Sequence, residues 1–373
     1  MKLKKIKLDH KIKKPVLSLG SQRKNTLCFA QGYIAYLSPE HPDLNNPQDF
    51  FSFQNDFKYL LRKKPRIIAY DLHPEYQSTK YIFYLKPNTY HLEPIQHHHA
   101  HIVSCMAENS LKNQKVIGVA FDGAGLGIDN HFWGGEFFIC DYQNYQRMAH
   151  LREIPLIGAE QAIMEPWRVA ATWLYLIYGD KFLNLKIDLV KRIKRKNWGV
   201  LKEMYLSGFN SPLTSSAGRL FDAAASLIFN LPKVNIEAEL AIRLENAARD
   251  YRLKKKGYKF SFYNNKGFYI IDPIPLFREL VSDLKAKEDN SKMAYRFHLT
   301  MAQMIRRAVV TLRHKTKINQ VVLSGGVFQN NLLLKLTLDL LYKERFWVLC
   351  HRKLSCNDSS ISLGQAIIAN SRR

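Results

Sequence analysis

The chain has 373 residues, of which 46% are apolar, a composition that predicts a large core in two lobes or domains and excludes a disordered chain. It contains no run of about 18 apolar residues, and residues 1–7 lack the apolar stretch of a signal peptide. Its five cysteines form no Cys-x-x-Cys pair, which excludes a zinc finger and a disulfide framework. We therefore expect a cytoplasmic protein without a membrane segment.

The formal net charge of +24 favours an anionic ligand, an acidic partner protein or nucleic acid. Residues 1–14 alone hold seven lysines against Asp9, and we interpret them as a basic tail. A lysine-rich composition on solvated helix faces would give the same excess. Because aromatic residues are not interleaved with the basic runs, nucleic acid is the least favoured of the three partners, although it stays open.

The first part of the chain predicts a mixed sheet with helices. Its strands are expected at 15–20, 27–30, 33–37 and 66–71, with a polar turn at 21–26, a tight turn at Gln31-Gly32 and a helix at 48–63.

A second strand–turn–strand unit follows and repeats the layout of the first. It comprises an apolar strand at 116–122, a glycine-rich hairpin and a strand at 137–140, which suggests two related lobes that face each other across a cleft. Residues 160–310 are predicted to be mostly helical, with a short β excursion near 253–275. A strand at 320–324, a glycine turn that opens a helix, and a terminal helix at 364–371 complete the chain.

Four histidines occur within the five residues 97–101, at the start of a helix-like run. His97 and His101 would stand one turn apart on one helix face, which is the spacing of half a metal site. A histidine-rich surface run is the alternative, and the cluster alone does not decide between them.

Other parts of a ligand site are scattered along the chain. They are Asp122 at a strand end with Gly123, Gly125 and Gly127 behind it, the turn Gly325-Gly326, Arg219 and Asp222 after a serine turn, and Asp358 before the last helix. Each has a structural alternative as a turn or a helix cap. Taken together they indicate a nucleotide site with a bound metal, because glycine turns expose backbone N–H groups to anions while carboxylates and imidazoles bind cations.

Several ordered motifs also resemble a known family. They are Gln96–His101, Phe121–Gly123 with Trp133–Glu136, Glu165–Arg168, Ser215–Asp222, Leu323–Asn330 and Ser362–Gln365. This set is similar to the C-terminal carbamoyltransferase domain of the HypF family, which serves nickel–iron hydrogenase maturation. The likeness extends over nearly the whole chain from about residue 15.

The resemblance implies an α/β fold of the two-lobed ASKHA type, with an interlobe nucleotide cleft and a largely helical insertion, related to the TsaD enzymes. We expect a first lobe at 15–114, a second lobe at 115–355 with the insertion at about 160–310, and a metal-ligand turn with the terminal helix at 356–373.

The resemblance also implies a site in which carbamoyl-adenylate, or ATP and AMP, binds beside a divalent metal such as iron or zinc, with magnesium as a further candidate. The implied metal ligands are His97, His101, Asp122 and Asp358. The expected nucleotide contacts are Gly123, Gly125, Gly218, Arg219, Asp222, Gly325, Gly326 and Asn330. His98 and His99 are second-sphere candidates with surface positions as the alternative.

The implied reaction is carbamoyl transfer to the C-terminal cysteine of a HypE-like acceptor protein, which leads to the cyanide ligand of the hydrogenase. Lys24 and Arg168 are candidate donors to the carbamoyl oxygen, and ordinary salt bridges explain both equally well. Alternative functions are an O-carbamoyltransferase of small molecules, a threonylcarbamoyl transferase of tRNA and a silent nucleotide-binding scaffold.

The sequence departs from the family pattern in several places. The upstream domains of full-length relatives are missing, so we expect a separate YrdC-like protein to supply carbamoyl-adenylate, or a split system. Ser359-Ser360 replaces a usual Gly-Gly, which would strain any backbone with positive φ. Gly158-Ala159-Glu160 replaces Gly-Gly-Asp, and Glu239 replaces a common Gln.

Overall fold

The computed structural model describes residues 2–85, 90–194, 198–249, 251 and 256–373. A first sheet of four strands has the order β3-β1-β5-β6. The elements of this part are β1 (Lys4–Ser18), β2 (Arg23–Asn25), β3 (Cys28–Leu37), β4 (His41–Asp43), α1 (Pro47–Leu61), β5 (Ile67–Asp71), α2 (Gln77–Tyr84) and β6 (His91–Ile95).

The predicted basic tail is wrong, because residues 4–14 form the first part of β1. This part pairs antiparallel with β3 from Lys4 opposite Leu37 onward. Ile6, Leu8 and Ile12 are buried while the lysines between them are exposed. The alternation of apolar and charged residues is that of a half-buried strand. The many lysines make this pattern hard to distinguish from a solvated tail in the sequence.

The predicted break between two strands at Gln31-Gly32 is also wrong. Residues 28–37 form one strand, and Gly32 adopts φ of 59° within it. Its pairing with β1 shifts register near this glycine, so the chain bends there without ending the strand. The predicted turn at 21–26 contains the short strand β2, which pairs with β4.

A second sheet follows the path β12-β13-β9-β8-β7-β14-β15, with the β10–β11 pair attached to β8. Its strands are β7 (Val116–Leu126), β8 (Phe132–Cys140), β9 (Tyr145–Leu151), β10 (Ile154–Pro155), β11 (Leu213–Thr214), β12 (Ser261–Asn265), β13 (Phe268–Asp272), β14 (Gln320–Ser324) and β15 (Trp347–Leu349). The predicted β excursion corresponds to β12 and β13, although part of its start lies outside the described residues.

Helices dominate residues 160–310, as the sequence predicts. The helices after the first sheet are α3 (His97–Glu108), α4 (Gln161–Met164), α5 (Trp167–Tyr178), α6 (Asp188–Lys194), α7 (Trp198–Ser207), α8 (Ala217–Phe229), α9 (Glu239–Ala248), α10 (Ile274–Lys285), α11 (Asn290–Thr316), α12 (Asn331–Lys343) and α13 (Ile361–Ser371). Short 3₁₀ turns lie at Gly179–Asn184, Gly326–Gln329 and Asp358–Ser360.

Helices α3 and α13 lie between the two sheets and share one core with both of them. The outer face of the first sheet packs on α1 and α2, and the outer face of the second sheet packs on the helical region. The two helices cross so closely that a Cβ on Gly364 would lie 1.9 Å from the carbonyl oxygen of Ala100, so the crossing requires a glycine at this position. The predicted two-lobed α/β fold is thereby confirmed.

Among the described residues, no helix combines the length and apolar character needed to cross a membrane.

Candidate metal and nucleotide site

Helix α3 carries both candidate histidine ligands on its first turns. Gln96 caps the helix, because its side-chain oxygen accepts a hydrogen bond from the His99 N–H at 2.8 Å. His97 and His101 are therefore one turn apart, with ring centroids separated by 5.1 Å. Both imidazoles are fully buried between the two sheets.

Asp122 reaches the histidines from a bulge in β7. Phe121 pairs with Gly135 on β8, and the next pairing joins Gly125 to Trp133, so the residues between them bulge out of the ladder. Such a bulge redirects a side chain, here the Asp122 carboxylate, out of the sheet. Its Oδ2 lies 3.4 Å from His97 Nε2 and 3.6 Å from His101 Nε2.

Asp358 completes the group from the turn before α13. Its Oδ1 lies 3.8 Å from His97 Nε2 and 3.5 Å from His101 Nε2. The predicted strain at Ser359 and Ser360 does not arise, because neither serine has a positive φ. Asn357 stabilises the turn instead, since its side-chain oxygen accepts hydrogen bonds from the Ser359 N–H and hydroxyl.

Glu108, at the far end of α3, holds the segment that leads to Asp358. Its carboxylate accepts hydrogen bonds from the backbone N–H groups of Arg352 at 2.5 Å and Leu354 at 2.9 Å. Burial opposes ionisation, yet His351 and these N–H groups keep the pKa of Glu108 below its ordinary value. One helix therefore carries two candidate ligands and positions the loop of a third candidate.

The four side chains fit a divalent metal. One ligand atom from each of His97, His101, Asp122 and Asp358 lies within 4.8 Å of the others. The Nε2 atoms of both histidines are buried and make no hydrogen bond with any described residue, which is costly unless a cation or proton uses the lone pair. Two imidazoles and two carboxylates suit iron or zinc.

Asp71, at the end of β5, orients the first of these histidines. The Nδ1–H of His97 donates to Asp71 Oδ2 at 2.8 Å, and both side chains are fully buried. This contact directs the Nε2 lone pair toward the cluster, as second-sphere carboxylates do in metal sites. Burial alone would lower the pKa of His97, but Asp71 and the other facing carboxylates raise it well above its ordinary value.

His98 and His99 are buried, so the surface alternative is wrong for both. His98 Nδ1 faces the Gln96 side chain, and His99 Nε2 donates to the carbonyl oxygen of Asp141 at 2.7 Å. Burial lowers the pKa of His98 to about 3 and that of His99 to about 4. A second-sphere role for either residue stays a prediction, and His97 and His101 are the pair that faces the carboxylates.

The glycine turn after β14 contacts the candidate metal ligand Asp122 directly. Gly326 N–H donates to Asp122 Oδ1 at 2.9 Å, and Gly325 N–H donates to the Cys356 carbonyl at 3.0 Å. Gly325 has φ of 105°, and a Cβ there would lie 2.2 Å from the Phe121 carbonyl oxygen. Asn330 caps α12 and also contacts His298. These groups already have protein partners, and their contact with a nucleotide stays a prediction.

The other nucleotide candidates cluster where α8 meets the β7 bulge. Gly218 approaches so closely that a Cβ on it would lie 3.0 Å from the Gly123 Cα, while a Cβ on Gly125 would meet the His97 ring at 2.6 Å. Arg219 Nη2 lies 3.1 Å from Asp222 Oδ2, and both side chains are buried. The structure thus brings these five candidates together next to Asp122.

Comparison with known proteins matches this architecture. Residues 11–108 match the model of the HypF Kae1-like domain, and residues 118–365 match the second subdomain of the carbamoyltransferase Kae1-like domain. A carbamoyltransferase HypF homolog of Cupriavidus necator is 32% identical over 95% of this chain and 91% of its own length. The chain belongs to the HypF carbamoyltransferase family.

Longer HypF proteins match over part of their length. The carbamoyltransferase HypF of Synechocystis is 33% identical, with 97% of this chain and 48% of the relative covered. A crystal structure of full-length HypF in the phosphate- and nucleotide-bound form is 34% identical, with a TM-score of 0.90 over 98% of this chain and 47% of that one. The chain therefore spans about half the length of these HypF relatives.

The two candidate donors of this HypF-family chain have different surroundings. Arg168 Nε donates to Glu165 Oε2 at 2.7 Å, and Lys233 Nζ approaches the same carboxylate at 3.0 Å. Arg168 therefore has the salt bridge that the sequence left open as the alternative. Lys24 is exposed in β2 with φ of 46°. A catalytic role for either residue stays a prediction.

The HypF-like motif Trp133–Glu136 has a structural role that the sequence does not predict. Glu136 is fully buried and accepts a hydrogen bond from Arg147 Nε at 2.6 Å and another from the Ser215 hydroxyl. The neighbouring Ser216 hydroxyl donates to the Asp122 carbonyl at 2.9 Å. The motif thus fixes the start of α8 against the bulge that carries Asp122.

Proposed function

We propose that this chain is a carbamoyltransferase that moves the carbamoyl group of carbamoyl-adenylate to a cysteine thiol of a HypE-like acceptor protein in hydrogenase maturation. The convergence of His97, His101, Asp122 and Asp358 within 4.8 Å carries the proposal, together with membership of the HypF family. A YrdC-like protein or domain would supply the adenylate.

The four side chains would hold a divalent metal through the two Nε2 atoms and one oxygen of each carboxylate. When bound, the metal supplies positive charge beside the phosphate and the carbamoyl oxygen. Asp71 keeps His97 in the tautomer that presents Nε2, and Gly326 fixes one oxygen of Asp122 so that the other faces the histidines. Contacts within the chain thus fix the positions of these side chains before a metal or a substrate binds.

Arg219 is the side chain best suited to the adenylate phosphate. It is buried beside Gly123, the residue that follows Asp122, and its Nε and Nη1 atoms have no hydrogen-bond partner among the described residues. A guanidinium with free N–H groups in a protected position binds phosphate strongly. Its charge would stabilise the negative charge that grows on AMP as AMP leaves.

The transfer step forms one bond and breaks one. The acceptor cysteine reacts as its thiolate, having released its proton to solvent; the sulfur attacks the carbamoyl carbon, and the bond between that carbon and the phosphate oxygen breaks. AMP leaves with the electron pair, and the product is an S-carbamoyl cysteine. Burial of the site limits competition from water, which would otherwise hydrolyse the adenylate.

The experiment supplies the metal-loaded protein with carbamoyl-adenylate and, in parallel reactions, a peptide ending in cysteine, a polyol or unmodified tRNA. The same peptide ending in serine is the matched control. We expect AMP release and a carbamoyl mass increase with the cysteine peptide only. Modification of the polyol or the tRNA instead would favour the alternative acceptors, and no turnover of any acceptor would favour a silent scaffold.

A further inference from the structure

A carboxylate that the proposed mechanism does not use lies at the mouth of the site. Glu237 precedes α9, and its Oε2 accepts a hydrogen bond from Arg23 Nη1 at 2.6 Å. Arg23 lies in β2, beside the first sheet, whereas Glu237 belongs to the region packed on the second sheet. This ion pair therefore connects the two halves of the molecule.

The other oxygen of Glu237 faces the candidate phosphate site. Glu237 Oε1 lies 3.9 Å from Arg219 Nη2, and it would lie 3.3 Å from a Cβ placed on Gly123. Gly123 directly follows the ligand Asp122. A negative group of the chain thus lies next to both Arg219 and the residue that follows Asp122.

Arg219 has capacity for a further anion. Its side chain is only 5% exposed, and Asp222 contacts only its Nη2 within 3.1 Å. The Nε and Nη1 groups make no hydrogen bond with the described residues. Leaving buried donors unpaired is unfavourable, so an anion that bridged one of these groups and the adjacent Nη2 would be bound strongly. Nη2 is the atom of Arg219 that Glu237 faces.

We propose that Glu237 is an internal competitor for this anion position: its carboxylate occupies the mouth of the site until the phosphate of a nucleoside monophosphate ligand displaces it. Displacement also releases Arg23 and so disconnects the two halves at this point. The inference rests on the proposed function in placing the nucleotide phosphate at Arg219. It adds a residue that controls access to the site.

The Arg23–Glu237 pair is suited to a reversible contact. Both side chains are about 40% exposed, at 41% and 40%, so solvent screens their attraction. Exposed ion pairs are weak individually, which allows a ligand that gains the buried donors of Arg219 to replace Glu237. Arg23 also faces Asp43 at 3.3 Å, so it retains a partner after the exchange.

The test compares AMP binding to the wild-type chain, Glu237→Gln and Glu160→Gln by titration calorimetry, with inorganic phosphate as a second probe. Glu160 is the matched control, because it also faces Arg23, at 3.9 Å, but has no contact with Arg219 among the described side chains. We expect Glu237→Gln to bind AMP about tenfold more tightly, through removal of one competing charge. Glu160→Gln should remain within about twofold of wild type.

A double variant identifies the position at which Glu237 competes. In a chain that already carries Arg219→Gln, we expect Glu237→Gln to give no gain in AMP affinity. Unchanged or weaker AMP binding by Glu237→Gln alone would overturn the inference, as would an equal gain in the Arg219→Gln background or no AMP binding by either protein. The carbamoyl-transfer assay is separate, so loss of turnover with a normal tenfold gain would reject the proposed function alone.

Discussion

Among the described residues, two groups of histidine and carboxylate side chains are close enough to hold a cation, and they differ in whether an arginine lies between their carboxylates. One is the group of His97, His101, Asp122 and Asp358, and the other contains Asp129, His131 and Glu153. In the second group, Arg147 lies within 3.2 Å of both carboxylates, and His131 contacts Glu153 at 3.0 Å. In the first, two buried Nε2 atoms make no hydrogen bond within the part of the chain that the structure describes.

The comparison shows that residue type and proximity do not by themselves identify a metal site. Arg147 already supplies the positive charge that the second group requires, so this group stabilises the fold. The guanidinium also lies 4.2 Å from the Trp133 ring, which fixes it further. In the first group, no lysine or arginine contacts the carboxylates among the described residues. A bound cation is therefore expected only in the first group.

The largest effect is expected for the ligands themselves. His97→Ala or His101→Ala should reduce bound iron or zinc from about one per chain to nearly none, because a buried imidazole ligand is lost. His131→Ala, in the second group, should leave the metal content unchanged. Elemental analysis of the purified proteins after dialysis tests both. Full metal content in His97→Ala, or loss of metal in His131→Ala, would reverse the assignment of the two groups.

Glu136, the buried partner of Arg147, should instead govern stability. Burial opposes ionisation, but Arg147 lowers the pKa of Glu136 to about 2, against 4.5 for an ordinary glutamate. Glu136→Gln should lower the free energy of unfolding by about 3 kcal/mol at pH 7 without removing the metal. Urea unfolding followed by circular dichroism measures the difference.

The stability difference between wild type and Glu136→Gln should shrink as the pH falls. The folded-state pKa of Glu136 lies below the unfolded-state value, so its contribution is fully present above about pH 4.5 and is lost as the pH falls toward 2. Wild type and Glu136→Gln should therefore converge in stability over this range. A difference that stays constant from pH 6 to about pH 3 would show that the ion pair is not its source.

Asp71→Asn should have an intermediate effect, because it weakens the orientation of His97 without removing a ligand. Loss of a second-sphere carboxylate typically lowers metal affinity by about 10- to 100-fold. Competition with a chelator measures the affinity. Asp56→Asn is the matched control, since Asp56 pairs with His41, a histidine outside both groups. Equal affinity for Asp71→Asn and wild type would exclude this role.

The sequence predicts the convergence of the four candidate ligands better than it predicts the residues around them. Helical spacing places His97 and His101 on one face, and their combination with carboxylates indicates a cation site. The assignment of Asp122 and Asp358 as the other two ligands comes from the family resemblance. Asp71 and Arg147 act through contacts between residues that are distant in sequence, which no local pattern reveals. The sequence predicts the end of β1 but not its first part, residues 4–14, although Ile6, Leu8 and Ile12 alternate with charged residues there, because lysine-rich segments at a terminus are usually interpreted as solvated tails.

The smallest effect concerns the loop beside Glu160, where the chain departs from the family pattern. Ala159 has φ of 47°, a left-handed conformation that costs a residue with a Cβ about 1–2 kcal/mol. Ala159→Gly removes this cost but adds about 0.5–1 kcal/mol of unfolded-state entropy, so we expect a net stabilisation of about 0.5–1 kcal/mol. Ala162→Gly, the same change in the buried helix α4, should destabilise by at least about 1 kcal/mol. Thermal unfolding of both variants measures the contrast, and a loss of stability in Ala159→Gly would mean that the alanine is not strained.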